Sequence, residues 1–348
     1  MRALALSHPS SLAHDTGPGH PERAARITAI RAALDARGWL GYRQAQAPEA
    51  DPAALRAVHT DRLIDEIRAA AEAGGGALDM ETIVSAGSWE AAVHAAGGAC
   101  AAAGALLAGD ADVAVSLARP PGHHASANVG MGFCLLNNVA IAARHALDDL
   151  GARRVAIVDW DVHHGNGTND IFRTTDAVLY TSIHRTGLFP GTGALLDVGS
   201  GEGRGFSINL PVPASSGEDV WLSMLEWIIT PAIEEYRPDL ILISAGFDAH
   251  RDDPLAGLSL ASGDYADLTA DLLAFVPAGR RLVFLEGGYD LGALSRSTTA
   301  CLGAMAGVDL RPEPATSGGP GGTVVRAVAE RRAMEADLAA PLDRPDVP

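Results

Sequence analysis

The sequence predicts a wound α/β fold built on a largely parallel sheet. Two patterns carry that prediction. Short aliphatic runs without polar alternation recur along the chain, at Val113–Leu117, Val155–Val158, Ala177–Ile183, Leu240–Ser244 and Leu282–Leu285. Strands of that kind are covered on both faces, as in a parallel sheet. Between many of them lie longer stretches with helical patterning: Pro21–Arg37, Pro52–Ala73, Ser88–Ala108, Leu135–Leu150, Glu218–Tyr236 and Asp264–Phe275. Alternation of strand and helix marks the class. Ala91–Leu107 is mostly Ala, Gly and Leu, and reads as a close-packed buried helix rather than a linker.

Composition narrows the function. The 348 residues are 47% hydrophobic and 20% charged, enough to bury a large core. With 26 basic and 43 acidic residues the net charge is −17, which disfavours non-specific binding to nucleic acid or anionic membranes. All 26 basic residues are arginine. A Schiff-base lysine, a Walker-type lysine and a Ser–Lys dyad are therefore excluded. Cys100, Cys134 and Cys301 are far apart and form no CxxC, which suits a reducing, cytoplasmic setting. The apolar start, Met1–Leu6, is too short for a signal peptide, and no uninterrupted apolar run of about 20 residues predicts a membrane span. The clear break in composition is Pro312–Gly322. One main domain is expected over 1–310. A tail over 311–348 is expected to hold a charged helix at Val324–Leu338 and a frayed end at Pro341–Pro348.

The chemistry-bearing residues follow the buried strands. Val113–Leu117 leads to Arg119-Pro120-Pro121-Gly122-His123-His124, and Val155–Val158 to Asp159-Trp160-Asp161-Val162-His163-His164-Gly165-Asn166-Gly167. Leu240–Ser244 leads to Ala245-Gly246-Phe247-Asp248, and Leu282–Leu285 to Glu286-Gly287-Gly288-Tyr289. The carboxyl edge of an open α/β sheet is where ligands bind. Residues two apart on an extended segment point the same way, so Asp161 and His163 can address one point, with Asp248 reaching it from another strand. Two carboxylates and an imidazole suit Zn²⁺ or Fe²⁺, leaving room for water and substrate. Acids gathered at buried strand ends are costly without a cation. The His123-His124 pair can supply a general base and acid. Asp159 and Asn166 are natural partners to orient those rings. Tyr289 can donate to a developing oxyanion. The GxGxG at Gly201–Gly205 lacks a strand–helix context and reads as a loop.

These segments resemble the histone deacetylase superfamily, in particular its class II-like bacterial members: histone-deacetylase-like amidohydrolases, acetylpolyamine amidohydrolases and acetoin-utilisation proteins. The resemblance also rests on Gly19–Arg23, Gly132–Asn138, Phe189–Gly193, Ala245–Leu258 and Leu285–Leu291, and spans most of 1–310. It implies the arginase/deacetylase α/β fold, with a mostly parallel central sheet of about eight strands flanked by helices, and a zinc-dependent deacetylase. By resemblance, Asp161, His163 and Asp248 hold the metal. His124 is then the general base and acid, His123 acts electrostatically against Asp159, and Asn166 stands where other members carry an acid. Tyr289 is the catalytic tyrosine. Phe133 and Phe189 wall a substrate tunnel, and Gly132 gives the acyl chain room. The resemblance also implies structural K⁺ at Asp159, Asp161, His163, Ser182 and Ile183. Polyamine-specialised relatives can carry an acidic gatekeeper at the position of Leu255, so leucine points to an acyl-lysine or neutral amide. Glu81 is a candidate to grip substrate at the rim. Rival readings are an acetylpolyamine deacetylase, a two-metal ureohydrolase of the same broad fold, and a non-catalytic acyl-ligand sensor. Homo-oligomerisation is compatible with the sequence.

Overall fold

A computed structural model describes residues 1–339. Ten strands are present among them: β1 (Ala3–Ser7), β2 (Arg43–Gln46), β3 (Gly75–Ala77), β4 (Ile83–Ser85), β5 (Val113–Ser116), β6 (Val155–Asp159), β7 (Val178–Arg185), β8 (Ser207–Val212), β9 (Leu240–Ala245) and β10 (Arg281–Leu285). Eight form one sheet in the order β2-β1-β5-β10-β9-β6-β7-β8, while β3 and β4 make a separate hairpin. Every pairing in the large sheet is parallel. The expected fold class is therefore the observed one.

The absence of polar alternation has a simple origin. Val113, Val115, Ala156, Val158, Ile241, Ile243, Val283 and Leu285 belong to the core on one face. Ala114, Val155, Ile157, Leu240, Leu242, Leu282 and Phe284 belong to the core on the other. Successive side chains point to opposite faces, and both faces are roofed by helices, so both sets must be apolar. Ser88–Leu107 is long and apolar enough to cross a membrane, but most of it is buried within the protein. Its glycines permit the close fit: a Cβ on Gly97 would lie 2.1 Å from the Pro48 carbonyl oxygen.

Several boundaries differ from expectation. Pro52–Ala73 is two helices, Pro52–Arg56 and Asp61–Glu72. Thr60 caps the second through the Leu63 N–H, restarting the helix. Glu218–Tyr236 contains a π-turn at Leu225–Ile229, just before Pro231, which has no N–H to continue the α ladder. The helix expected from Leu135 starts at Asn138, capped by Asn137. Strands β1, β2 and β8 were not anticipated; β8 carries Pro211, tolerated because the strand lies on an edge. At the other end, the helix Gly322–Ala339 buries Val325 and Val328 in a core cluster. Pro341–Pro348 lies outside the described residues.

Candidate active site

Strands β5, β10, β9 and β6 are neighbours at the centre of the sheet, although far apart in sequence. In register, Phe284 faces Ser116 and Ser244, and Ser244 faces Asp159. The four carboxyl ends therefore finish at one level and release their loops into one region. Asp161 and His163 lie beyond the end of β6, in a bend rather than on the strand. The Asp161 carboxylate folds that bend by accepting the His163 N–H at 2.9 Å, and also accepts the Gly287 N–H from the β10 loop at 2.8 Å. Asp248 accepts the Val162 N–H at 2.9 Å. Both anticipated carboxylate ligands are thus fixed by backbone donors from another segment, and His163 Nδ1 lies 3.0 Å from Asp161 Oδ1.

Among the described residues three sets of potential metal donors occur, the ligand atoms within each set lying within 4.8 Å of one another. In the set His8, Glu90 and His94, the two rings stack with centroids 3.6 Å apart and planes 9° from parallel, so no ion can lie in both ring planes. In the set His250, Asp252 and Glu313, the Glu313 carboxylate is already paired with Arg251 at 2.8 Å. Asp161, His163 and Asp248 form the remaining set, and all three are buried. Asp248 Oδ2 is buried without a hydrogen-bond partner, 3.3 Å from His163 Nδ1. A Cβ on Gly287 would stand 2.0 Å from that oxygen, and one on Gly246 would stand 2.1 Å from Asp161 Oδ2. Only glycine leaves the carboxylates this space. An orphaned anionic oxygen, a second carboxylate and an imidazole fit a divalent cation.

The field around these groups calls for positive charge. Burial opposes a proton on His163, but Asp161 and Asp248 outweigh it and push its pKa up to about 10. Burial likewise opposes a charged His123, yet Asp159 and Asp161 push it up to about 10. His123 Nδ1 is 3.0 Å from Asp159, which also accepts the Tyr180 hydroxyl at 3.2 Å and the Asp161 N–H at 3.1 Å. His124 is the opposite case. Burial, then His123 and His163, hold it well below the ordinary imidazole value. Its Nδ1 lies 2.8 Å from Asn166 Oδ1. A carbonyl oxygen only accepts, so Nδ1 carries the hydrogen and Nε2 of the neutral ring is free to accept a proton.

The remaining residues frame an approach. The Phe189 ring meets His124 edge-on at 5.1 Å, and a Cβ on Gly132 would lie 2.4 Å from the His124 ring. Phe133 meets Tyr289 edge-on at 5.8 Å. Tyr289 is 9% exposed, and its hydroxyl has no hydrogen-bond partner among the described residues. Burial and the Asp248 carboxylate push its pKa well above the usual phenol value, so it stays a donor. Glu81 is exposed on the β3–β4 loop. That loop is tied to the Phe133 wall: His20 packs on Phe133 at 4.7 Å and lies 3.0 Å from the Glu81 carbonyl oxygen. Leu255 stands 40% exposed in the loop after Asp248. Ser182 and Ile183 are buried on β7, with Ser182 beside Asp159 in register.

Sequence reasoning missed several supports. Glu286 is buried and accepts the N–H groups of Gly122 at 2.7 Å and His123 at 3.2 Å, fixing the histidine loop; burial pushes its pKa up to about 7. Thr82 accepts the Phe133 N–H at 3.1 Å, holding a residue with φ of +67°. Asp253 and the Glu22–Arg26–Arg119 cluster were also missed. For Glu286 the signal was present: an acid ending an apolar strand, as Asp159 does.

A family profile described as "Histone deacetylase domain" matches residues 20–305. The "Probable deacetylase" of Archaeoglobus fulgidus is 38% identical over 310 residues, covering 87% of this chain and 86% of that one. The "Histone deacetylase-like amidohydrolase" of Pseudomonas aeruginosa is 39% identical over 295 residues, covering 83% and 78%. The crystal structure of the HDA15 HD domain superposes with a TM-score of 0.90 at 35% identity, covering 96% of this chain and 97% of that one.

Proposed function

Since the chain belongs to the histone deacetylase family and carries that family's deacetylase class of activity, we propose that it is a zinc-dependent hydrolase removing acetyl or other acyl groups from acyl-lysine or a related N-acyl amine. The observation that carries this reading is Asp248 Oδ2, buried without a hydrogen-bond partner beside Asp161 and His163. Those three side chains would hold Zn²⁺, with Fe²⁺ also suited to the donor set. When bound, the cation supplies a Lewis acid that polarises an amide carbonyl and acidifies a water.

The chain's own groups do the rest. Phe133 and Phe189 flank the acyl chain and limit water. Gly132 leaves it room beside His124. Tyr289 donates its unpartnered hydroxyl to the oxygen on which charge develops. His124 takes the proton of the attacking water at Nε2, and the same nitrogen returns it to the departing amine. Asn166 keeps the ring in the required tautomer. His123, charged against Asp159, lends positive potential. The reading includes a structural K⁺ held chiefly by backbone oxygens of Asp159, Asp161 and His163 with Ser182 and Ile183. Its support is the burial of all five and the pairing of Asp159 with Ser182.

Leu255 places a neutral side chain near the mouth, favouring acyl-lysine. The acidic Asp79 and Glu81 loop favours a polycation, so an acetylpolyamine substrate is the second reading. The test is turnover of zinc-loaded protein on acetyl-lysine peptides, longer acyl-lysines and acetylpolyamines. Acetyl-lysine peptides should be the better substrates, and a strong preference for acetylspermidine would reverse that order. Tyr289→Phe should lose most turnover; wild-type rates would remove the tyrosine from the reaction. Binding of acyl ligands without product release would make the protein a sensor.

A further inference from the structure

Resting on that reading of Tyr289, we propose that Asp253 is a positioning residue, a clamp whose two carboxylate oxygens set the catalytic tyrosine and the substrate rim separately. Asp253 is only 7% exposed. Its neighbour Asp252 points outward to Arg296 at 3.2 Å, as an acid on a surface loop ordinarily does. Asp253 turns inward and forms no ion pair among the described residues. Burying an unpaired carboxylate is costly unless its oxygens are hydrogen-bonded. Here the donors are backbone N–H groups from two segments. Oδ2 accepts the Tyr289 N–H at 2.8 Å. Oδ1 accepts the Leu255 N–H at 2.9 Å.

The two segments come from different strands. Tyr289 follows β10, and Leu255 follows β9 in the loop that begins with Asp248. Tyr289 comes after Gly287 and Gly288, the latter at φ of +114°, so its own backbone is poorly constrained. The Gly287 N–H is fixed by Asp161 and the Tyr289 N–H by Asp253, so the chain is pinned on either side of Gly288. Arg26 covers the other side of the tyrosine ring at 5.1 Å. Asp253 therefore governs where the Tyr289 hydroxyl stands without touching substrate. Through Leu255 it also governs the width of the mouth.

Asp253→Asn keeps the shape but presents an amide NH₂ to one of the two N–H groups. The experiment compares kcat and KM for wild type, Asp253→Asn, Tyr289→Phe and the double variant, each with metal content measured. A displaced hydroxyl costs about 10- to 100-fold in kcat. Asp253→Asn should show that loss in the wild-type background and almost none once Tyr289 is Phe. Equal losses in both backgrounds, or no loss, would overturn the clamp. Full turnover by Tyr289→Phe alone would instead overturn the tyrosine reading, and the clamp with it. Amide hydrogen exchange gives a readout that needs no activity: protection should fall at whichever of Tyr289 and Leu255 faces the new NH₂ in Asp253→Asn. Unchanged protection at both would also overturn the proposal. Asp253→Ala, which removes both acceptors, should raise KM as well as lower kcat.

Discussion

At Glu22 the protein buries a carboxylate between two guanidinium groups; at Asp248 it buries one beside another carboxylate. Arg119 grips Glu22 through Nε at 2.5 Å and Nη2 at 2.7 Å, and Arg26 adds a third contact at 3.1 Å. Burial alone would raise the Glu22 pKa, but Arg119 and Arg26 bring it down to about 2. Burial and Asp161 raise that of Asp248. The two clusters are physically joined, since Arg26 also binds the carbonyls of Glu286 and Gly288 that lead to Tyr289. In one region the buried carboxylate is fully compensated by its own neighbours and serves as framework. The other is left unbalanced, and that imbalance is what a cation answers. Cavity size is a poorer guide. A hollow of about 420 Å³ lies at the opposite edge of the sheet, yet its Arg2 and Asp112 pair with each other at 2.8 Å.

The largest expected effect breaks the unbalanced side. Asp248→Asn keeps the Oδ1 acceptor for Val162 but removes the charge. Turnover should fall to background and metal affinity should collapse. The metal-free protein should nevertheless be the more stable, by about 0.5–2 kcal/mol, and melt at a higher temperature, because a like-charge repulsion disappears. A lower melting temperature without metal would mean that Asp248 is as well matched as Glu22.

Glu22→Gln tests the balanced side and should do the reverse. It leaves two buried guanidinium groups uncompensated, at a cost of about 3–5 kcal/mol in urea denaturation. Acid gives a second check. The Glu22 pKa in the folded protein is about 2, below the ordinary 4.5. Its contribution is therefore complete above about pH 4.5 and is lost as pH falls through that window towards 2. The stability gap between wild type and Glu22→Gln should narrow over the same range. A gap independent of pH would place the cost in packing.

The contrast also explains what was legible in the sequence. Strands β5, β6, β9 and β10 are buried on both faces, so their apolar runs stand out, and the residues just past them fall at the ligand-binding edge. Asp161, His163, Asp248, His124 and Tyr289 could be gathered on that rule alone. Strands β2 and β8 are the sheet edges, where Arg43, Gln44, Gln46 and Asn209 interrupt the run and hide the strand. Arg26, Arg119 and Asp253 look like surface residues in sequence. Their burial depends on partners more than 30 residues away, and no local pattern records that. The π-turn before Pro231 and the restart at Thr60 are cases where a local cap or a missing N–H overrides a continuous apolar period.

The smallest expected effect separates the two histidines within the unbalanced region. His123 is held by an anion, His124 by the neutral Asn166. Asn166→Ala removes the orienting hydrogen bond and two long contacts of 3.5 Å, so kcat should fall about 10- to 100-fold with little change in stability. Asn166→Asp adds an anion against a ring that must be neutral to accept a proton. The pKa of His124 should rise, and the acid limb of the kcat/KM profile should move to higher pH. If Asn166→Ala kept full kcat, the ring would be set by its edge contact with Phe189 and the absent side chain of Gly132. Gly132→Ala, which drives a methyl into that ring, would then be the more damaging change of the two.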